Sequence, residues 1–329
     1  CGTDRKILII LMNNKTIVFI ANPNESVSSL FQEEGLDVEI CLRTGNVNED
    51  VAKIHPDILI CRNRDDISDI IKTNPCIRMV FIVEVGLERL PFKELQARNI
   101  RVANTSGISA DIMSNYVLAC ILDHVVKLGE DILNQRNSYW KRFQSTDSLD
   151  GKTLLIVGAG RTGIQIAHKA RPFGLNIVGI VRNQREIDGF NKIGTFCQIN
   201  QYLSKADYVV CTLPLTSETQ AFFSIEKYRK MKPTSIFINV SRGGLVNECD
   251  LVDALDSGMV AHAYLDVFSI EPLPEDHVFW KHEKITVTPH QSGRLVNNID
   301  VAMKMFIQNY RAYCAGNIMP NEVNLQQGY

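Results

Sequence analysis

The stretch that decides the fold is residues 153–167, which read T-L-L-I-V-G-A-G-R-T-G-I-Q-I-A. An apolar run leads into three glycines in the order G-x-G-x-x-G, and apolar residues then recur at helical spacing. The pattern predicts a strand, a tight turn and a helix whose N-terminal amides favour an anion. Gly158 would permit the turn, Gly160 would let the backbone approach a pyrophosphate, and Gly163 would let the helix pack on the strand.

The sequence around the motif favours dinucleotide binding over the alternative, a merely flexible glycine-rich turn. Residues 154–157 are strand-like, and a second apolar run, residues 175–181, follows at the distance typical of a βαβ unit. Because strand, turn, helix and second strand occur in this order, we interpret residues 153–181 as the start of a dinucleotide-binding fold.

Composition excludes several classes of protein. The 329-residue chain is 45% hydrophobic and 22% charged, which predicts a globular protein with two domains of ordinary size. A formal net charge of -2 gives no basic surface for nucleic acid or an anionic membrane. No apolar run approaches the ~20 residues of a membrane span, and no signal peptide is recognisable. The nine cysteines include no C-x-x-C pair and are expected to be reduced. We therefore expect a cytoplasmic protein.

Strand-like and helical patterns alternate along the chain, which predicts an α/β fold. Before the glycine motif, strand-like runs occur at residues 6–10, 16–20, 38–41, 58–61, 79–83 and 100–103, with an amphipathic helix at 26–34. After it, strand-like runs occur at residues 206–213, 235–240, 262–267 and 284–288. Several of these runs are continuously apolar, as is typical of parallel strands buried on both faces.

Two long helical patterns mark the predicted domain crossings. The first covers residues 109–128 and is followed by a polar arm that contains Tyr139, Trp140 and Phe143. The second covers residues 295–315 and would return the chain to the first domain. We predict one domain from residues 1–105 with 294–329, and another from residues 106–293.

Five ordered segments carry a resemblance to a known family: V-G-A-G-R-T-G, C-T-L-P-L-T-S-E-T, N-V-S-R-G-G-L-V, L-D-V-F-S-I-E-P-L-P and T-P-H-Q-S-G. In this order the chain resembles the D-isomer-specific 2-hydroxyacid dehydrogenases, over residues 77–310. The resemblance implies a flavodoxin-like substrate-binding domain and a Rossmann dinucleotide-binding domain, each with a doubly wound parallel sheet. It also implies an oxidoreductase that transfers a hydride between NAD(P)H and a small 2-keto acid, such as glyoxylate, hydroxypyruvate or a branched 2-keto acid, to give a D-2-hydroxy acid.

The resemblance implies that Arg242, Glu271 and His290 are catalytic. Hydride addition to a 2-keto carbon leaves a developing alkoxide, which a protonated imidazole at His290 can neutralise as general acid. A carboxylate at Glu271 would orient the imidazole, and the Arg242 guanidinium would grip the substrate carboxylate. Taken singly, each is better interpreted as an ordinary loop residue, but together at the ends of successive strands they favour catalysis.

Further contacts follow from the same resemblance. The backbone of Val85 and Gly86 would bind the substrate carboxylate, although the neighbouring Glu84 is unusual for a site that binds an acid. Besides the motif glycines, the implied cofactor contacts are Arg161, Thr162, Leu213, Pro214, Thr219, Val240, Ser241, Arg242, Asp266, His290 and Gly293. Asp266 has an alternative role, which is to cap the turn that follows its strand.

Cofactor choice depends on the end of the second strand of the dinucleotide-binding domain. NAD-specific relatives carry an acidic residue there that accepts hydrogen bonds from the ribose hydroxyls. The corresponding residue is Val181, and Arg182, Asn183 and Arg185 follow it with donors suited to a 2′-phosphate. We therefore predict that NADP is preferred over NAD. The alternative is an ordinary basic loop.

Several rival interpretations remain at this point. The chain is interpretable as a dinucleotide-sensing scaffold of the corepressor type, without turnover, or as a relative that acts on phosphoglycerate. We expect a homodimer through residues 109–128 and the following arm, although both segments could instead pack within one chain. We expect no nucleic-acid or membrane partner. The remaining histidines show no metal-ligand spacing, so we expect no metal; they are His55, His124, His168, His262, His277 and His282.

Overall fold

The computed structural model describes residues 7–12, 15–20, 30–31, 33–34, 47–63, 65–87, 89–142, 146–295 and 298–326. The chain divides into two compact units. The first unit comprises Cys1–Ile108 with Val296–Tyr329, and the second comprises Ser109–Leu295. These divisions lie close to the predicted crossings at residues 105/106 and 293/294.

Among its described residues, the first unit contains a five-stranded sheet in the order β1-β2-β3-β4-β5. Its strands are Ile7–Met12 (β1), Lys15–Ile20 (β2), Ile58–Cys61 (β3), Met79–Ile82 (β4) and Arg101–Asn104 (β5). Strands β2 to β5 pair in parallel, whereas β1 pairs antiparallel with β2. The antiparallel pair departs from the predicted all-parallel sheet, because the link between β1 and β2 is too short for a parallel crossover.

Helices cover this sheet and bury its apolar strands. They are Val47–Ile54 (α1), Ser68–Thr73 (α2), Phe92–Ala97 (α3) and the C-terminal helix, Asn298–Cys314. The C-terminal helix packs Phe306 edge-on against Phe81 of β4, with ring centroids 5.4 Å apart. Of the predicted helix at residues 26–34, the described residues Leu30, Phe31 and Glu33 are helical, and the predicted strand at residues 38–41 lies outside the described residues.

The second unit contains a seven-stranded parallel sheet in the order β12-β11-β10-β9-β6-β7-β8. Its strands are Thr153–Val157 (β6), Asn176–Val181 (β7), Lys192–Thr195 (β8), Tyr208–Cys211 (β9), Ile236–Asn239 (β10), His262–Leu265 (β11) and Ile285–Val287 (β12). The chain winds outward from β6 to β8 and then returns to β9 on the other side. The carboxyl ends of β6 and β9 therefore form the switch point at which ligands bind in open α/β sheets.

Six α-helices accompany the second sheet. They are Ala110–Val126 (α4), Leu128–Arg136 (α5), Arg161–Ala170 (α6), Ile199–Leu203 (α7), Ile225–Tyr228 (α8) and Glu248–Asp256 (α9). No single helix among the described residues is both long and apolar enough to cross a membrane; α4 and α5 meet that standard only together, across a 65° bend.

The helix predicted at residues 109–128 is broken near its end, and α5 was not predicted. Lys127 adopts a left-handed conformation with φ of 61°, and its N–H donates to the Asp123 carbonyl at 2.8 Å. The Asp123 carboxylate accepts the Gly129 N–H at 2.7 Å, which caps the start of α5. The residues of α5 are largely polar, so the sequence pattern resembled an extended arm.

Candidate active site

The glycine motif forms the predicted turn between β6 and α6. Gly158 has φ of +111°, and a Cβ at this position would lie 2.8 Å from the carbonyl carbon of Thr212. A Cβ at Gly163 would lie 2.4 Å from the Gly158 carbonyl oxygen, within the contact between helix and strand. Both positions therefore require glycine. The Thr212 hydroxyl donates to the same Gly158 oxygen at 2.6 Å and fixes the turn at the switch point.

Gly160 has open space beside its Cα, whereas the other two motif glycines have neighbouring atoms close by. It stands at the N-cap of α6 with φ of −85°, and a Cβ there would meet no atom of the described residues within 4 Å. Helix α6 begins at Arg161. The backbone amides of its first turn, including those of Arg161 and Thr162, have no acceptors within the helix and face this open space. A helix N-terminus with a side-chain-free approach fits the pyrophosphate of a dinucleotide.

Positively charged side chains follow β7, at the place where the sequence predicts that the adenosine end of the cofactor binds. Val181 is buried, whereas Asn183 and Arg185 are exposed. Arg182 forms an ion pair with Glu218, whose Oε2 lies 2.8 Å from the arginine Nη2, and the two side chains are 34% and 70% exposed. Glu218 comes from the loop after β9, a contact that the sequence did not predict.

Side chains after β9 and β10 hold their own loops in place. Thr219 is buried; its hydroxyl donates to the Pro214 carbonyl at 2.6 Å and accepts the Thr216 N–H at 2.8 Å. The Ser241 hydroxyl donates to the Leu213 carbonyl and so joins the two loops. The Thr219 and Ser241 side chains therefore stabilise the shape of the two loops.

Arg242, Glu271 and His290 follow β10, β11 and β12, three adjacent strands of one sheet. His290 Nδ1 lies 2.6 Å from Glu271 Oε2. An ionised carboxylate only accepts hydrogen bonds, so Nδ1 carries the hydrogen and the ring presents Nε2 on its opposite side. The His290 side chain is 49% exposed, which leaves it accessible to a substrate.

The Arg242 turn and the Glu271 loop lie directly against each other. A Cβ at Gly243 would lie 1.9 Å from the Phe268 carbonyl carbon, so only glycine permits this approach. The Phe268 N–H in turn donates to Glu271 Oε1 at 3.0 Å, which fixes the carboxylate from the side opposite His290. The close packing thus links the backbone next to Arg242 with the group that orients His290.

Asn239, at the end of β10, shapes the Arg242 turn and was missed by the sequence reasoning. It is buried, its Nδ2 donates to the Arg242 carbonyl at 3.0 Å, and its Oδ1 accepts the Ser241 N–H at 3.1 Å. The available signal was a single amide side chain at the end of an otherwise apolar strand.

The Asp266 carboxylate holds the loop that carries His290. It is fully buried; Oδ1 accepts the Thr288 hydroxyl at 2.6 Å and the Gln291 N–H at 3.0 Å, while Oδ2 accepts the Ser292 N–H at 2.8 Å. These bonds hold the loop that follows β12, and not the turn after β11 that the alternative for Asp266 predicted; its contact with the cofactor stays a prediction. His290 itself is left-handed, with φ of 49°, a conformation that costs about 1–3 kcal/mol in a non-glycine residue.

Two residues near the start of α4 also contact this loop, and neither was predicted to do so. The Ser109 hydroxyl donates to the Gly293 carbonyl at 2.6 Å, and the Tyr116 hydroxyl lies 2.6 Å from Thr288 Oγ1. Helical periodicity placed Tyr116 among the apolar positions, and no local pattern pairs it with a strand end that is distant in sequence.

In the first unit, Val85 and Gly86 lie on the loop that follows β4. Val85 is exposed, and its carbonyl accepts Asn104 Nδ2 at 2.9 Å. Glu84 Oε2 accepts the Asn63 N–H at 2.8 Å, so its carboxylate braces the neighbouring loop. This contact gives the unusual acid beside the expected substrate loop a structural role.

Titratable groups elsewhere behave as structural residues. His124 and His262 lie side by side with ring centroids 6.0 Å apart, and burial lowers the pKa of each imidazole to about 4, so both are neutral near pH 7. Burial also raises the pKa of the Cys211 thiol to about 12. Within the described part of the chain, no three His, Cys, Asp or Glu side chains are grouped so as to hold a metal ion.

Comparison with known proteins identifies the family. Residues 118–292 match the family model for the NAD binding domain of D-isomer specific 2-hydroxyacid dehydrogenases. The chain belongs to this family. It is 32% identical over 254 residues to a glyoxylate reductase/hydroxypyruvate reductase from Mus musculus, covering 76% of this chain and 77% of that protein. It is 31% identical over 263 residues to a glyoxylate reductase from Korarchaeum cryptofilum, covering 78% and 79%.

A solved structure from the same family has the same architecture. The D-isomer specific 2-hydroxyacid dehydrogenase family protein of Aeromonas salmonicida superposes with a TM-score of 0.79 at 30% identity, covering 94% of this chain and 98% of that one. The predicted family and α/β fold are thereby confirmed. This dehydrogenase is an NAD(P)-dependent oxidoreductase of 2-keto and 2-hydroxy acids, and the scaffold alternative is not favoured.

Proposed function

We propose that this dehydrogenase reduces glyoxylate to glycolate or hydroxypyruvate to D-glycerate, with Arg242, Glu271 and His290 as its catalytic residues. The observation that carries the proposal is the 2.6 Å contact between His290 Nδ1 and Glu271 Oε2, on the same sheet that carries the glycine turn. The relatives named as glyoxylate or hydroxypyruvate reductases support the choice of substrate. Branched 2-keto acids are the next class to test.

The nicotinamide cofactor, when bound, supplies the hydride. The carbonyl oxygen of the substrate then gains negative charge, and His290 donates the proton on Nε2 to it as general acid. Glu271 keeps the ring in one orientation and stabilises the imidazolium before transfer. Arg242 pairs with the substrate carboxylate through its planar guanidinium. In the oxidative direction a neutral His290 removes the hydroxyl proton.

The backbone around the glycine turn is suited to the phosphates of the cofactor. The first-turn amides of α6 and the open face at Gly160 would hold the pyrophosphate, with Arg161 and Thr162 at its edge. Residues of the loops after β9 and β10 would line the rest of the cofactor through backbone groups. These residues are Leu213, Pro214, Thr219, Val240 and Ser241, followed by Gly293 beside the His290 loop.

The proposed activity is tested by following cofactor oxidation with glyoxylate, hydroxypyruvate and a branched 2-keto acid as separate substrates. We expect turnover with glyoxylate or hydroxypyruvate. Tight dinucleotide binding without oxidation in the presence of any of the three acids would overturn the proposal and favour a scaffold of the corepressor type.

We infer that NADP is preferred over NAD, through Arg182 with help from Asn183 and Arg185. A 2′-phosphate would have to displace Glu218 from its ion pair with Arg182. An exposed ion pair contributes only about 0–1 kcal/mol of stability. A charge-assisted hydrogen bond to phosphate contributes ~1.5–3 kcal/mol. The phosphate therefore outcompetes the carboxylate for the arginine.

The Arg182→Ala variant tests this preference. We expect it to raise KM for NADPH by ~10-fold or more and to change KM for NADH much less, since one such contact is worth about that factor. Glu218→Gln is the matched control, because it breaks the same ion pair but keeps the arginine, and it should retain or improve the use of NADPH. If Arg182→Ala weakens both cofactors equally, the basic residues are only surface charge.

We propose a homodimer formed through the apolar patch on the end of α4, on α5 and on the following arm. Seven residues of α4 are buried, whereas none of the residues of α5, all of which are described, is buried. Trp140 is 88% exposed. An exposed patch of this kind is typical of a protein interface; its members are Val126, Leu128, Ile132, Leu133, Tyr139 and Trp140.

Light scattering at micromolar protein concentration tests the dimer. We expect the parent chain to have a dimer mass and the double variant Leu133→Ser, Trp140→Ser to have a monomer mass. Ile318→Ser is the matched control, since Ile318 is 85% exposed but lies in the first unit, outside the patch. A monomer mass for the parent chain would contradict the proposal.

We propose a reducing compartment, the cytoplasm, as the place of action. Seven cysteines lie in the described part of the chain, and all seven are free thiols. Free thiols at both buried and exposed positions are typical of proteins in reducing compartments.

A further inference from the structure

We propose that the Tyr116 hydroxyl is a positioning group for His290 and acts through Thr288 and Asp266. The inference rests on the proposed function, because it assigns a role in proton transfer by His290. Tyr116 lies on α4, and all three other residues lie at or beyond the carboxyl ends of β11 and β12 in the same unit.

The direction of each hydrogen bond in this chain follows from the number of hydrogens available. Each hydroxyl has a single hydrogen, and a carboxylate only accepts. The Thr288 hydroxyl lies 2.6 Å from Asp266 Oδ1 and must donate to it. Its hydrogen is then committed, so Tyr116, 2.6 Å away, must be the donor to Thr288 Oγ1. The chain therefore runs from Tyr116 through Thr288 to Asp266, and its bonds polarise one another.

The far end of the chain is the backbone that carries His290. The Asp266 carboxylate accepts the amides of Gln291 and Ser292, which directly follow the histidine. The His290 amide donates to the Asp266 carbonyl at 2.9 Å. Since His290 is held in a left-handed conformation, the loop needs these contacts to keep the ring facing Glu271.

The Tyr116 phenol remains a hydrogen-bond donor over the usual range of pH. Burial is the largest cause that raises its pKa well above the ordinary value of 10, so the hydroxyl keeps its proton throughout the usual range of assay pH. The phenol can therefore donate to Thr288 at every pH at which turnover is measured.

Tyr116→Phe removes the hydroxyl that donates to Thr288, and Tyr264→Phe is a matched control. Tyr264 is a buried tyrosine whose hydroxyl donates to the Asp123 carboxylate on α4 at 2.9 Å and not to the His290 loop. We expect Tyr116→Phe to lower kcat by ~10-fold, equivalent to about 1.4 kcal/mol, with KM for NADPH within ~2-fold of the parent value. Tyr264→Phe should keep the parental kcat, although both variants lose one partly buried hydrogen bond and lose thermal stability alike.

A second pair of variants tests the middle of the chain. Thr288→Ser keeps the hydroxyl and should keep the parental kcat, whereas Thr288→Val should match Tyr116→Phe. Combining Thr288→Val with Tyr116→Phe should add no further loss, because either change breaks the same chain.

The outcomes separate this inference from the proposed function. Parental kcat in Tyr116→Phe, or equal losses of kcat in Tyr116→Phe and Tyr264→Phe, would overturn the positioning role while leaving the enzyme assignment intact. Absence of turnover in the parent protein with every 2-keto acid tested would instead overturn the proposed function.

Discussion

His290→Ala is expected to lower kcat by ~10²–10⁴-fold while dinucleotide affinity stays nearly unchanged, because that is the usual contribution of a positioned general acid. Glu271 holds the imidazole through Nδ1, so Nε2 is the group that can protonate the developing alkoxide. Alanine removes the proton donor but leaves the glycine turn and α6 untouched. Steady-state kcat with the best 2-keto acid, measured beside the dinucleotide Kd, checks both halves of the expectation.

His168→Ala is the matched control for this variant. His168 lies on α6 in the same unit, pairs with Asp188 at 3.6 Å and is partly exposed, so its loss should leave kcat unchanged. If His290→Ala turns over within a few-fold of the parent protein, His290 is not the general acid. A large loss of dinucleotide affinity in His290→Ala would show instead that the loop, and not the proton, was affected.

Gly160→Val is expected to weaken dinucleotide binding by ~100-fold or more without lowering the melting temperature. A side chain at Gly160 meets no atom of the described residues within 4 Å, and its φ of −85° suits any residue, so the fold tolerates the change. The same side chain occupies the space through which a pyrophosphate reaches the amides of α6. Loss of two charge-assisted hydrogen bonds at ~1.5–3 kcal/mol each gives at least this factor.

Gly163→Val provides the contrast, because it is expected to damage the fold itself. A Cβ there lies 2.4 Å from the Gly158 carbonyl oxygen, so helix and strand must separate. We expect its melting temperature and its dinucleotide affinity to fall together. Isothermal titration with NADPH and thermal melts of both variants separate the loss of dinucleotide affinity from the loss of stability. If Gly160→Val binds NADPH with the affinity of the parent protein, the proposed pyrophosphate site is excluded.

The parts of the fold that the sequence predicted well are those set by local spacing. Continuous apolar runs predicted β6, β9 and β10 because both faces of these parallel strands are buried. The glycine spacing predicted the turn between β6 and α6 because Gly158 and Gly163 have no room for a side chain. The strand β1 was predicted, but its antiparallel pairing and the polar helix α5 were not, since pairing partners and capping contacts are not visible in periodicity.

Most side-chain contacts in the candidate site could not be predicted from the sequence. The contact between Glu271 and His290 followed from family motifs, but the bonds from Asp266 to the His290 loop depend on how β11 and β12 lie side by side. The pair between Arg182 and Glu218 likewise joins two loops brought together by sheet order alone. The roles of these residues in catalysis and cofactor choice remain predictions.

The measurement that tests the central claim most directly is the configuration of the product. Hydroxypyruvate is reduced by the purified protein with NADPH, and the glycerate formed is separated on a chiral column. We predict D-glycerate from the parent protein, and at least ~100-fold less in the same time from His290→Ala. Formation of L-glycerate or a racemic mixture, or equal yields of product from both proteins, would contradict the account.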